Sequence, residues 1–269
     1  MSMLADLTSG AVEDARAREV ALPLAALERK ALANAPAIDA LAALAPTENV
    51  RIIAEVKRAS PSRGDLADIP DPALQASLYE QGGASAISVL TEGRRFKGSL
   101  ADLEAVRGAV SLPVLRKDFI ATAYQVFEAR AAGADLVLLI AAALDQPTLE
   151  TLHELVIELG MTPLVETHDL DEVRRASEIG ARLVGVNARD LTTFELDRDL
   201  FGRLAEHIPA DAIKIAESAV KTPADVAHYR NDGADVVLVG EALVTGDPVA
   251  TLRDFLSVGA PASATGVSL

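Results

Sequence analysis

Apolar residues in this chain gather in short, nearly continuous runs, and the residues between them follow a helical period. Eight runs rich in Val, Leu and Ile fall near residues 51–57, 85–90, 113–117, 135–140, 162–166, 182–187, 213–217 and 235–239. Runs of four to six apolar residues bounded by turn signals predict parallel strands covered on both faces. A glycine precedes most of them. Gly133-Ala134 stands before DLVLLI, Gly180-Ala181 before RLVGVN, Gly233-Ala234 before DVVLVG, Gly83-Ala84 before SAISVL and Gly160 before MTPLVE. Each closes a helix-like stretch, where glycine serves as a left-handed C-terminal cap. Thr122, Asp145, Asp169, Thr222 and Asp247 are the expected N-caps of helices that follow.

Eight alternations of strand and helix predict a (β/α)8 TIM barrel. An open doubly wound sheet is the competing arrangement. No GxGxxG follows the first strand, so its dinucleotide-binding form has no support. About fifty residues precede the first strand. They hold a helical stretch from Ala11 to about Asn34 and an apolar piece from Ile38 to Leu44. This is too little for a domain of ordinary size. Residues 1–258 are therefore expected to form one barrel domain with an N-terminal helical extension over about residues 1–48. Residues 259–269, small and polar, are expected to be a disordered tail.

Composition narrows the function classes. Only 3% of the 269 residues are aromatic, so the core is aliphatic. The formal net charge of -15 argues against nucleic-acid binding, which needs a basic footprint. A small anion is still admissible, because a local group of Lys and Arg can reverse the field inside one cleft. The absence of cysteine excludes disulfides, thiolate metal sites and a Cys nucleophile. His153, His168, His207 and His228 show no metal-binding spacing and are expected to be surface or helix residues. No apolar run is long enough to span a bilayer and no leader pattern opens the chain, so a cytoplasmic protein is expected.

The strand ends carry the chemistry. Ile52 to Arg58 reads IIAEVKR. Glu55 and Lys57 stand two apart, so a strand points them to one side. An unpartnered buried charge is costly, so that side must open into a polar cavity. The pattern recurs: Lys117 ends the third strand, Glu166 the fifth, Asn187 the sixth, and Glu217 with Ser218 the seventh. In barrels the C-terminal strand ends build the active site. Lysines and carboxylates crowded there are expected to tune one another. Repulsion between lysines would make one a better proton donor, while nearby carboxylates stay ionised as bases.

Phosphate-binding positions are expected in the loops after the seventh and eighth strands, at Ser218-Ala219 and Gly240-Glu241, with the Ser60 hydroxyl opposite. The first loop, with Arg58, Arg63 and Gly64, is a candidate lid. Phe96, in a basic second loop, and Phe119, beside Lys117, are candidates for stacking on an aromatic substrate.

With these residues in place, the chain resembles the indole-3-glycerol phosphate synthase family. The matching motifs are AEVKRASPS (54–62), SVLTE (88–92), LRKDFI (115–120), GADLVLLI (133–140), PLVETH (163–168), GVNARDL (185–191), AESAV (216–220) and LVGEAL (238–243). The resemblance implies conversion of 1-(2-carboxyphenylamino)-1-deoxyribulose 5-phosphate to indole-3-glycerol phosphate, with loss of carbon dioxide and water. It implies Lys117 as general acid, Glu166 as the carboxylate of the dehydration and Lys57 as holder of the substrate carboxylate. Glu55, Asn187, Glu217 and Ser218 would hold hydroxyls and orient the lysines. Arg189 would lie near the anthranilate carboxylate, and Ser60, Ala219, Gly240 and Glu241 at the phosphate. Decarboxylation restores aromaticity and needs no electron sink, so no cofactor and no metal is expected. The implied partner is a small phosphorylated substrate, and a monomer is expected.

One position departs from the family pattern. Ala219 stands where the family usually has glycine, which would strain a left-handed backbone. Three other readings compete. Phosphoribosylanthranilate isomerase would call for a catalytic cysteine. A Schiff-base aldolase would use Lys117 covalently. A barrel that only binds an anion would have no use for Glu166.

Overall fold

The structure, a computed structural model, describes residues 2–190, 193 and 195–258. The tail expected over residues 259–269 lies outside the described residues. Eight parallel strands close into a barrel in chain order. They are β1 (Arg51–Val56), β2 (Ala86–Leu90), β3 (Val114–Lys117), β4 (Leu136–Ile140), β5 (Thr162–Thr167), β6 (Leu183–Asn187), β7 (Ile213–Glu217) and β8 (Val236–Val239). Closure pairs β1 with β8, Arg51 opposite Val236. Each strand lies within a residue or so of its expected span. The five glycines named from the sequence all take positive φ, between 70° and 98°. The five expected N-caps each accept a backbone N–H with the side chain.

Strand alternation sorts the core into two shells. Ile53, Leu115, Leu138, Leu164, Leu183, Ile215 and Leu238 fill the barrel interior. Val56, Val89, Val114, Val137, Val165, Val184 and Val237 face the surrounding helices. The same alternation sets two cations back to back on β3. Lys117 turns inward, while Arg116 turns outward and is fully buried. Arg116 donates to the Gln125 carbonyl (2.7 Å), Thr91 Oγ1 (3.1 Å) and Asp118 Oδ2 (2.9 Å). Behind it Glu128 takes Arg18 from the N-terminal helix at 2.5 and 2.8 Å. A buried cation without these partners would be strongly destabilising.

At the opposite end of the strands, Asp135 ties three segments together. Its carboxylate accepts the N–H groups of Val114 (2.8 Å) and Ile38 (2.7 Å) and pairs with Arg107 (2.6 Å). Asp235, in the other Gly-Ala-Asp repeat, accepts the Lys214 N–H at 3.0 Å in the same manner.

The N-terminal extension differs from the expected single stretch. A helix spans Met3–Ala21, a second spans Leu24–Ala33, and a short turn spans Ala40–Ala43. Ser2 caps the first through the Ala5 N–H, which starts it well before Ala11. Pro23 then breaks the run, since proline has no N–H to continue the helical ladder. Leu4, Leu7 and Ala11 pack with Phe119 and Ile140, and Ala40 and Leu44 join the same inner shell. The first helix also holds the second loop from outside: Asp14 grips the Arg94 guanidinium at 2.7 and 2.9 Å.

Candidate active site

A cavity of about 310 Å³ opens at the C-terminal ends of the strands. Every site position named from the sequence lines it: Glu55, Lys57, Ser60, Phe96, Lys117, Phe119, Glu166, Asn187, Arg189, Glu217, Ser218, Ala219, Gly240 and Glu241. Its floor is the top of the inner apolar shell, at Leu138, Ile140 and Leu238.

Lys117 occupies the centre. Its Nζ lies 2.6 Å from Glu217, 3.4 Å from Glu166 and 3.9 Å from Glu55. Lys57 is 2.6 Å from the other oxygen of Glu55. Asn187 donates to Glu166 Oε1 at 3.1 Å, and Ser218 donates to Asn187 Oδ1 at 2.8 Å. Strands β1, β3, β5, β6 and β7 thus feed one hydrogen-bonded cluster. Two glycines make room for it. A Cβ on Gly185 would stand 2.3 Å from Glu217 Oε1, and one on Gly240 would stand 2.7 Å from Glu55 Oε1.

The electrostatics differ from the expected pattern in two respects, the relation of the lysines and the protonation of Glu217. The Glu55 carboxylate lies between the two lysines, so ammonium–ammonium repulsion does not govern. Burial alone would lower the Lys117 pKa, but Glu217, Glu166 and Glu55 outweigh it and hold the ammonium charged. Burial likewise favours the neutral form of each carboxyl. Lys57 and Lys117 overcome it at Glu55 and keep that group ionised. Lys117, with His168 and Asn187, overcomes it at Glu166. At Glu217 burial prevails over Lys117, with the Glu166 charge adding to it, and the group is pushed up to about 7. Among the described residues its Oε1 is enclosed without a hydrogen-bond partner, and it lies against Gly185.

Loops shape the mouth. The first loop forms a two-residue antiparallel ladder, Ser60 opposite Gly64. Arg58 anchors its base through Asp102 at 2.6 and 3.1 Å. Its tip reaches the far rim, where Arg63 lies 2.9 Å from Glu241, and Lys221 approaches the same oxygen at 3.7 Å. The second loop wraps around Glu92, whose carboxylate accepts the N–H groups of Arg94, Arg95 and Phe96 at 2.7–2.9 Å. This turns Phe96 onto Phe119, ring centroids 6.1 Å apart. Phe96 is half-buried there instead of free in solvent.

After β7 the backbone takes two consecutive left-handed residues, Ser218 at φ 72° and Ala219 at φ 62°. The Gly240 amide region follows β8 and opens a single-turn helix, Glu241–Val244. These two segments, with Lys221 and Arg63, form the end of the cavity suited to an anion.

The expectation for the histidines fails at one position. His168 is neither at the surface nor in a helix. It follows β5 directly, is half-buried with its Nε2 enclosed, and lies 3.3 Å from Glu166 and 3.1 Å from Glu172. The signal was present in the sequence, because His168 is two residues beyond Glu166, as Lys57 is two beyond Glu55.

Comparison with known proteins gives a consistent set of likenesses. A family model described as indole-3-glycerol phosphate synthase matches residues 4–255. The chain is 71% identical over 258 residues to the indole-3-glycerol phosphate synthase of Leifsonia xyli subsp. xyli, covering 96% of this chain and 99% of that protein. It is 55% identical over 260 residues to indole-3-glycerol phosphate synthase 1 of Streptomyces coelicolor, covering 96% of each. Among solved structures, 3-hexulose-6-phosphate synthase from Salmonella typhimurium superposes with a TM-score of 0.65 at 19% identity, covering 78% of this chain and 98% of that one. Thiamine phosphate pyrophosphorylase from Pyrococcus furiosus gives 0.59 at 15%, covering 78% and 95%. These two likenesses concern the fold alone.

Proposed function

The chain belongs to the indole-3-glycerol phosphate synthase family, and on that premise we propose how its cavity closes the indole ring. The protein is a carboxy-lyase acting on 1-(2-carboxyphenylamino)-1-deoxyribulose 5-phosphate. The observation that carries the assignment of roles is the convergence of Lys117, Glu55, Glu166 and Glu217 within 3.9 Å in one buried cluster.

In the first step the ring carbon bearing the carboxylate attacks the ketose carbonyl. The carbonyl oxygen becomes an alkoxide and takes a proton from Lys117. An ammonium held charged by its neighbours is suited to stabilise that developing anion. Carbon dioxide then leaves, and the C–C bonding pair restores the aromatic ring. In the last step Glu166 removes a proton from the methylene next to nitrogen, while Lys117, recharged with a proton from solvent, protonates the hydroxyl, which departs as water. With the substrate as its carboxylate, the balance is substrate plus one proton giving indole-3-glycerol phosphate, carbon dioxide and water.

Lys57, fixed by Glu55, holds the substrate carboxylate, and Arg189 approaches the same group. Asn187, Glu217 and Ser218 orient the hydroxyls and Lys117. Phe96 and Phe119 contact the anthranilate ring. Ser60 and the backbone at Ala219, Gly240 and Glu241 take the phosphate. The Glu241 carboxylate is offset by Arg63 and Lys221, so its charge does not stand bare at the phosphate end.

The reading extends to a monomeric cytoplasmic protein with residues 1–258 as one domain. A single chain supplies the whole cavity, and a phosphorylated substrate is retained inside the cell by its charge. Among the described residues no helix is long and apolar enough to cross a membrane. The test is direct: purified protein mixed with the carboxyphenylamino-deoxyribulose phosphate should develop indole absorbance and fluorescence with release of carbon dioxide. A borohydride-trapped covalent adduct on Lys117 with a keto-phosphate would instead favour an aldolase.

A further inference from the structure

Three carboxylates meet two ammonium groups in the cluster, so one carboxylate is left to take up a proton. Glu55 has both lysines, Lys57 at 2.6 Å and Lys117 at 3.9 Å. Glu166 and Glu217 compete for Lys117, which lies closer to Glu217, at 2.6 Å against 3.4 Å. Judged on Lys117 alone, Glu166 should be the protonated member. That would leave the proposed base of the dehydration blocked.

His168 reverses this order. Its ring is wedged between two carboxylates, with Nδ1 3.1 Å from Glu172 Oε2 on the helix Leu170–Glu178. The backbone N–H of His168 donates to the same oxygen at 2.8 Å. On the other side Nε2 stands 3.3 Å from Glu166 Oε1. That nitrogen is enclosed and makes no aligned hydrogen bond among the described residues, so its tie to Glu166 is one of charge at 3.3 Å. Among the described residues, the charged groups facing the ring are Glu166 from β5 and Glu172 from the following helix. Lys117 approaches the opposite oxygen of Glu166, and the Asn187 amide sharing Oε1 is neutral.

We propose that His168 is a positioning residue, a half-buried imidazolium that keeps Glu166 ionised and leaves the surplus proton of the cluster on Glu217. Burial works against the charged ring, but the two carboxylates outweigh it and raise its pKa to about 10. The opposite shifts of Glu166 and Glu217 follow the same division. The inference rests on the assignment of Glu166 as the base.

The experiment is the pH profile of kcat and KM for His168→Gln with the carboxyphenylamino-deoxyribulose phosphate. The acid limb of kcat is expected to move up by about 1–3 pH units, the effect of removing an opposite charge at this range. KM above that limb should stay within about threefold, because the ring does not line the cavity. An unmoved acid limb, or a loss carried only by KM, would overturn the proposal. Glu166→Gln run alongside separates the two readings. If it retains turnover, the base assignment itself falls. If it is inactive while the His168→Gln profile coincides with wild type, only the role of His168 falls. Should His168→Gln not fold, nitrogen NMR of the wild-type imidazole decides. A ring still doubly protonated at pH 8 supports the proposal, and one titrating near 6.5 overturns it.

Discussion

Replacing Ala219 by glycine should stabilise the protein. Ser218 and Ala219 both adopt left-handed backbone, at φ 72° and 62°. An L-residue with a Cβ pays about 1–2 kcal/mol in that region. Ser218 recovers part of this through its side chain, whose hydroxyl donates to Asn187 at 2.8 Å. Ala219 has no polar side chain and recovers nothing in this way. Glycine removes the strain but enlarges the freedom of the unfolded chain, which returns about 0.4–1 kcal/mol. Taken at their midpoints, about 1.5 and about 0.7 kcal/mol, the two leave a net gain of about 0.8 kcal/mol. For a chain of this size it corresponds to a rise in Tm of about 2–3 °C.

Equilibrium urea unfolding of Ala219→Gly, with Ala219→Val beside it, measures this. The valine variant should lose at least about 1 kcal/mol, because β-branched residues are the least tolerant of positive φ. Inorganic phosphate binding, followed by calorimetry, should change by no more than about twofold in Ala219→Gly, since the backbone already has the conformation glycine prefers. A destabilised glycine variant would refute the strain argument. A tenfold gain in phosphate affinity would refute the claim that the amide is already in place.

Lys117→Met should abolish turnover while binding of a phosphate analogue stays within about tenfold, because its charge acts mainly in the transition state. Equal losses of rate and binding would contradict it. Glu166→Gln should slow a step after ring closure, and single-turnover traces with the first step slowed would count against that. Gly185→Ala should drive Glu217 off Lys117, since the new methyl falls 2.3 Å from its Oε1. A fall in kcat of at least tenfold with an unchanged far-ultraviolet spectrum is expected, and unaltered kcat would sink the idea. Glu217→Gln should change how stability depends on pH. The folded-state pKa of Glu217 is raised from 4.5 to about 7, so its stabilisation is complete below pH 4.5 and lost as pH rises to 7. The variant should lack that decline, worth up to about 3 kcal/mol. Parallel stability curves for the two proteins across this window would argue against it.

The barrel was legible because its local signals agree. Aliphatic runs, glycines at positive φ and side-chain caps all mark the same boundaries, and consistency between levels is what makes a sequence specify one fold. The cavity was legible because a period of two places Glu55 with Lys57 on one face. The same rule applied to Glu166 would have reached His168. Its partner Glu172 belongs to a helix, however, and a pairing across two elements does not show in spacing. Arg116 is a similar case. Alternation points it away from Lys117, but its burial depends on Glu128 and the docked N-terminal helix. The relation of the two lysines does not show in the sequence, because alternation gives direction and not neighbours, and the Glu55 carboxylate intervenes. Pro23 is a local signal of a break between helices, lying inside the expected helical stretch from Ala11 to about Asn34.

The paired cations of β3 carry a hidden ambiguity. Slipping this strand by one place would exchange Arg116 and Lys117, and each side of the sheet would still receive a positive charge beside carboxylates. Leu115 and Val114 would exchange as well, one aliphatic for another. The polarity code that disfavours a slip in most half-buried strands is nearly silent here. Alignment must then be enforced elsewhere, and Asp135 is placed to do so by clamping the Val114 N–H from the foot of β4. A carboxylate at the far end of the barrel from the substrate thereby decides which cation faces the chemistry.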